Sequence, residues 1–401
     1  MKQRGSAKSP FRRSALGLLA IGSVSALMLA GCSADTGSSA GSTGAESGSD
    51  IKITVLADIT GKAAFFGSAI QKAANFTADE LNAKGGIDGH KIVLSVKDTT
   101  STAATASSLM NDALSDGTNA VIFGVLSEEA LAIAPLAQDA GIPMINVQAA
   151  GDGIVETGDA IWRITPPQAN FYPSLAKYVA TQFKAKTAAV FYVTDNAPSV
   201  TLATKVLPDA FGAEGITITD SVSSSSTETD LTTAVSRLLA GNPDYIQTQA
   251  IGAQNIALIT QLRRAGYTGN IGGGTALGAN ALAALGDQAN GIVYYSSFVG
   301  SDQLPYASGR DFTAAYEKAT GEQPTTFNAE TYDAFGLIEA AVKAFGSAAP
   351  ADIISGMAKV AGDGGFTGAQ GDPIAFDNRS AKTPGVIIQW ENGKETLAPG
   401  Q

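Results

Sequence analysis

IKITVLADITGKAAFFGSAIQKAANFTADELNAKGGIDGHKIVLSVKD, residues 51–98, carries the pattern that decides the fold. Its opening, Ile51–Ala57, is a β-branched run of strand type. Ala69–Lys84 then sets Ile70, Ala74, Ala78 and Leu81 at helical spacing, and Lys91–Lys97 returns to a strand. Outward from here the alternation continues. Thr102–Ser115 is a helix with Ala106, Leu109, Met110 and Ala113 on one stripe, and Ala120–Val125 is a wholly apolar strand. Glu128–Ala140 is a helix and Ile142–Val147 a strand. Repeated β-α-β units with short joints predict a parallel sheet covered by helices on both faces.

The same grammar restarts after Pro166-Pro167, with helix 172–183 and strand 188–193, then helix 231–239 and strand 244–249, then helix 255–265 and strand 291–295. Two such units predict two doubly wound α/β lobes, each with its ligand end beyond the carboxyl ends of its strands. The 351 residues from Ile51 to Gln401 also exceed the usual size of a single core.

Upstream, Lys2, Arg4, Lys8, Arg12 and Arg13 precede an apolar run, Ala15 to Ala30, that ends on Leu29-Ala30-Gly31-Cys32. A basic segment before a short apolar run is a secretory signal, too weakly apolar for a permanent span. Cys32 is the only cysteine, so no disulfide and no cysteine metal site is available. An ordinary cleaved signal with a chance cysteine is the alternative to acylation there. From Ser33 to Asp50 the chain is rich in Gly and Ser without a large apolar side chain. Such a segment is a flexible tether of roughly 20–25 Å reach.

Charge narrows the function classes. Without the five basic residues of the signal, 21 Lys and Arg stand against 37 Asp and Glu, which argues against nucleic acid and against docking to acidic lipid. His90, in a tight turn before a strand, is the only histidine. Gly272-Gly273-Gly274 lacks the Gly-Lys-Ser/Thr of a P-loop, and no strand-to-helix turn carries a Gly-x-Ser-x-Gly elbow. No catalytic residue, cofactor or metal site is expected.

Several segments together resemble the extracellular solute-binding proteins of branched-chain amino acid importers: IKITVLADITGKAAFFG, ADELNAKGGIDGHKIVLSVKD, GVLSEEALAIAPLAQDAGIPMI, NPDYI, QLRRAGYTGNI and FNAETYDAFGLIEAA. Leu29–Cys32 resembles the bacterial lipobox, which implies a lipid-anchored form facing outward from the cell membrane. The resemblance implies the type I periplasmic-binding fold, two lobes joined by three hinge crossings near Ile164–Pro167, Ser296–Ser297 and Lys382–Ile388. On that pattern 1–31 is the signal peptide and 32–50 the acylated cysteine and tether. Lobe 1 is 51–164 with 297–382, and lobe 2 is 165–296 with 383–401. The implied partners are a small solute (amino acid, amide or small carboxylate) and an ABC permease with its ATPase subunits. A binding protein that presents its ligand to a membrane receptor is the alternative, and an exported hydrolase a remote one.

Ser127, between an apolar strand and a helix, is expected to cap that helix. The resemblance implies that it also holds a ligand carboxylate, against the alternative of a plain cap. Glu128 and Glu129 place competing negative charge at the same helix start. The turn Gln148-Ala149-Ala150 matches the family's ammonium-binding turn, but Ala150 replaces a hydroxyl residue. Thr275 likewise stands where the family usually has an acid. Phe66 and Phe327 match aromatics at the pocket, and Ile251 stands where some members have Tyr; core packing is the alternative for each aromatic. Asp58 and the Asp195-Asn196 pair follow strands at carboxyl ends and are candidates for the missing ammonium partners, with solvated loop residues as the alternative.

Overall fold

Ile51, Ile53 and Val55 point into the interior of the computed structural model, which describes residues 49–61, 63–278 and 282–400. The signal, Cys32 and nearly all of the tether lie outside the described residues. Glu46–Gln401 forms one compact unit that contains two sheets.

The first sheet begins with β1 (Ile51–Ala57), followed by α1 (Ala64–Ala83), β2 (Ile92–Asp98), α2 (Ala103–Ser115), β3 (Ala120–Phe123), α3 (Ser127–Ala140), β4 (Met144–Asn146) and β5 (Ile161–Arg163). All these strands pair in parallel, with Ile51 opposite Ile92 and Ile53 opposite Ala120. On α1, Ile70, Ala73, Ala74, Thr77, Ala78 and Leu81 are buried, the three-and-four spacing of a helix laid on a sheet. Each large apolar side chain so buried contributes about 1.5–3 kcal/mol. This helix starts five residues before the expected Ala69, which brings Phe65 and Phe66 onto its first turn.

After β5 the chain crosses to the second sheet: α4 (Tyr172–Thr181), β6 (Thr187–Val193), α5 (Ala197–Thr201), a π-turn (Leu202–Val206), α6 (Leu207–Ala213) and β7 (Thr217–Ser224). Then come α7 (Thr232–Ala240), β8 (Tyr245–Gln249), α8 (Ala253–Arg264), β9 (Asn270–Gly273) and β10 (Val293–Ser296). It returns for α9 (Ala307–Thr320), α10 (Thr326–Phe345), α11 (Pro350–Gly362), β11 (Phe366–Gly368), β12 (Gly371–Asp377) and β13 (Ser380–Lys382). A last crossing leads to β14 (Val386–Glu391) and β15 (Lys394–Leu397).

Strand order is β11-β12-β13-β5-β4-β3-β1-β2 in one sheet and β15-β14-β10-β9-β8-β6-β7 in the other. The doubly wound pattern therefore holds through the parallel centres. One edge of each sheet is antiparallel, because β11 to β13 and β14 to β15 return through tight turns instead of helices. The chain leaves the first sheet at the carboxyl end of β5 and leaves the second at the carboxyl end of β10. Thr165, just past the first of those ends, and Ser297, just past the second, both hydrogen-bond to Glu330.

Candidate functional site at the carboxyl ends of the strands

The end of β1 is shaped by a close approach. A Cβ on Gly67 would lie 2.1 Å from the carbonyl oxygen of Asp58, so glycine is required where α1 meets the strand end. The Asp58 side chain is fully buried and faces Ser101 and Glu129. Burial raises the Asp58 carboxyl above the ordinary range, against the lowering effect of those two neighbours. Glu129 is itself fully buried and accepts a hydrogen bond from Thr99 Oγ1 at 3.1 Å. Glu128 stays at the surface. Of the two acids at the start of α3, one is thus turned into the protein and the other stays at its surface.

Ser127 does not cap α3. Leu126, with extended backbone, holds the cap position, and its carbonyl accepts from the N–H groups of Glu129 and Ala130. Ser127 is the first helical residue, half-buried, and its Oγ accepts a hydrogen bond from the backbone N–H of Gly151 at 3.0 Å. A hydroxyl that accepts one bond in this way still has its own proton to donate.

The turn after β4 runs from Gln148, half-buried, through buried Ala149 to half-buried Ala150. Gln148 Nε2 donates a close hydrogen bond to Glu330 Oε2 on α10. Glu330 Oε1 accepts from Thr165 Oγ1 at 2.8 Å and Ser297 Oγ at 3.0 Å. One turn earlier on α10, Phe327 meets Phe66 edge to face at 4.9 Å between centroids, and Phe65 closes the trio at 5.5 and 6.2 Å. Asn328 Nδ2, donating to Ala69 O at 2.9 Å, locks α10 against α1. Direct contacts thus run from Phe66 through Phe327 to α10, and from Glu330 through the Gln148 turn to Gly151 and Ser127.

In the second lobe, Ile251 is 36% exposed at the end of β8. Thr275, after β9, is half-buried, with Gln168 Nε2 at 3.5 Å from its Oγ1. Tyr295 OH donates to Gln168 Oε1 at 3.2 Å, and Gln249 Nε2 donates to the Tyr172 hydroxyl. Asp195 is committed elsewhere: its carboxylate accepts from Ser226 N at 2.9 Å, Ser226 Oγ at 2.7 Å and Ser225 Oγ at 3.4 Å, and these bonds hold it below its ordinary pKa. Asn196 caps α5 by accepting from Ser199 N at 2.9 Å.

The residues linked to Ser127 and Gln148 that the sequence reading left out are Gly151, Glu330, Thr165 and Ser297, and beside Thr275 it left out Gln168. One of them was signalled: Glu330 lies on the buried stripe of α10, four residues before Ala334 and eight before Ile338. An acid on an apolar stripe marks a buried carboxyl in need of partners. Among the described residues no cluster of His, Cys, Asp or Glu is arranged to hold a metal, and no helix is long and apolar enough to cross a membrane.

Comparison with known proteins agrees with this architecture. A family model described as periplasmic binding protein matches residues 50–395. A Leu/Ile/Val-binding protein homolog of Brucella melitensis is 26% identical over 353 residues, 86% of this chain and 92% of that protein. The substrate-binding protein LivJ of Streptococcus pneumoniae, solved with isoleucine, superposes with a TM-score of 0.74 at 26% identity, over 86% of this chain and 97% of that one. A solute-binding protein of Rhodopseudomonas palustris, solved with benzoate, shares the fold with a TM-score of 0.70 at 20% identity, covering 87% of this chain and 95% of that one.

Proposed function

The chain belongs to the periplasmic binding protein family, and from that premise we propose that it captures a small carboxylate without an α-ammonium group and delivers it to an ABC permease. Capture joins the two lobes, because a ligand that touches both favours the closed form by its differential affinity. The observation that carries the ligand class is the fate of the acids. Asp58 is fully buried, and Asp195 is bound to Ser225 and Ser226 in the loop after β7. Ala150 and Thr275 bring no carboxylate. Burying an ammonium without such a partner costs several kcal/mol.

The other half of the site suits a carboxylate with an apolar body. Ser127 retains a donor at the start of α3, where backbone N–H groups favour an anion. Phe66 and Phe327 offer an apolar wall of the kind usual in small-molecule pockets. Calorimetry with benzoate and with leucine, isoleucine and valine tests the assignment. Benzoate-type carboxylates are expected to bind more tightly; submicromolar leucine binding would refute it.

We also propose a lipid anchor at Cys32, which holds the protein at the outer face of the cell membrane. Cys32→Ser should move the protein from the membrane to the soluble fraction and abolish labelling by a fatty-acid probe. A wild-type chain that is soluble and unlabelled would overturn the anchor.

A further inference from the structure

We infer that Glu330 is a positioning residue for ligand capture, a single buried carboxyl that ties both short crossings between the lobes to the Gln148 turn and so sets which end of the Gln148 amide is presented. The inference rests on the reading of that turn as ligand-facing. Thr165 belongs to the crossing after β5 and Ser297 to the crossing after β10, and both donate to one oxygen of Glu330. Gln148 donates to the other. Ser297 Oγ is also 2.7 Å from Thr326 Oγ1, which extends the network to the start of α10. Two hinge segments and the turn, which lie 165, 33 and 182 residues from Glu330 in sequence, thus meet on its one side chain.

A carboxylate only accepts, so three donors suit the ionised form. Burial opposes it and pushes the Glu330 carboxyl up to about 8, with the neighbouring Asp333 adding to the rise. The groups that meet Glu330 from the crossings and the turn, Thr165, Ser297 and Gln148, do not titrate in this range. Arg163, two residues before Thr165, is turned to Ser380.

Proton uptake at the oxygen that faces Gln148 requires an acceptor there. The two hydroxyls can go on donating to the other oxygen. The Gln148 amide becomes that acceptor only by turning over, which then presents its NH₂ group away from Glu330. With Glu330 ionised the outward group is a carbonyl, an acceptor that repels a carboxylate. Protonated Glu330 therefore matches an anionic ligand, and ionised Glu330 does not.

Glu330→Gln reproduces the protonated pattern, since its amide can donate to Gln148 and accept from both hydroxyls. In the full chain, the wild-type-minus-variant difference spectrum should show the infrared band of a neutral carboxylic acid that fades as pH rises through about 8, the band of buried Asp333 being common to both and cancelling. A group whose folded pKa is raised above its unfolded value loses stability as pH climbs between the two. Wild-type melting temperature should therefore fall relative to the variant between pH 5 and 8. With benzoate as probe, wild-type affinity should drop several-fold from pH 6.5 to 9.5 while the variant stays level.

Thr165→Val, a milder change, should speed amide exchange at positions 164 and 165, the two residues of the crossing before Pro166-Pro167 that carry an N–H. Matching melting profiles with no neutral-acid band in the wild-type-minus-variant difference spectrum, or unchanged exchange in Thr165→Val, would overturn the proposal. Failure of benzoate to bind at any pH would count against the ligand class alone, because the infrared, melting and exchange results decide the role of Glu330 without it.

Discussion

Gly151 donates its backbone N–H to Ser127 Oγ at 3.0 Å, so the turn after β4 and the first turn of α3 form one corner. Glycine is needed there: a Cβ at position 151 would lie 2.8 Å from Ser127 Cβ and 2.9 Å from its Oγ. Gly151→Ala should displace the serine and weaken ligand binding at least as much as Ser127→Ala. Loss of a hydrogen bond to a charged ligand costs about 1–3 kcal/mol, and that is the expected effect of Ser127→Ala by calorimetry. Wild-type affinity in both variants would remove the corner from the site.

Phe66 and Phe327 meet edge to face, and both are only half-buried. If they wall the ligand site, truncation should cost affinity more than stability. Phe327→Ala and Phe66→Ala are each expected to weaken an apolar ligand by about 1–2 kcal/mol, less than full burial of such a ring contributes. A double-mutant cycle on thermal stability should return about 0.5–1.5 kcal/mol of coupling for the ring pair. Unaltered affinity alongside a large stability loss would make them packing residues only.

The parallel centre of the first sheet was legible because Ile51–Ala57 and Ala120–Phe123 are unbroken strand runs and Ile70 to Leu81 repeat at helical spacing. The start of α1 was not. Ala64 to Gly67 has no stripe of its own, and its helical state depends on Gly67 nesting against Asp58. Ser127 looked like a cap because its residue type favours one, yet tertiary contact with Gly151 takes its oxygen and leaves the cap to Leu126. Partnerships such as Gln148 with Glu330 are set by chain crossings that no local pattern records.

Asp333 supplies a pH test of the fold. Its fully buried carboxylate accepts from Ala369 N at 2.5 Å and from Gln370 N and Nε2, both at 3.0 Å, which fastens α10 to the turn between β11 and β12. Desolvation nonetheless raises it to about 7. The folded state keeps this proton to higher pH than the unfolded chain does. Its share of stability therefore declines as pH rises from the ordinary aspartate value to about 7 and is level above that. Asp333→Asn should remove this slope and, by pointing an amide at backbone donors, cost about 1–3 kcal/mol. Melting curves from pH 4 to 8 decide it; parallel wild-type and variant profiles would contradict the assignment.

The ligand class can be tested by rebuilding what is missing. Thr275 Oγ1 has Gln168 Nε2 at 3.5 Å, so a longer acid at position 275 would find a donor for one oxygen and could offer the other to a ligand. Ala150, half-buried in the turn after Gln148, leaves a place for a hydroxyl. Ala150→Thr combined with Thr275→Glu supplies the two groups that an α-ammonium requires, and a paired buried charge loses far less than an unpaired one. The double variant should gain leucine and isoleucine affinity by at least tenfold, about 1.4 kcal/mol, and lose affinity for benzoate, whose carboxylate has no counterpart for the new negative charge. Each single variant should gain less, since either partner alone leaves the ammonium short of a contact. Tight leucine binding by the unaltered chain, unchanged in the double variant, would mean that the ammonium is held elsewhere and that the site is an amino acid site after all.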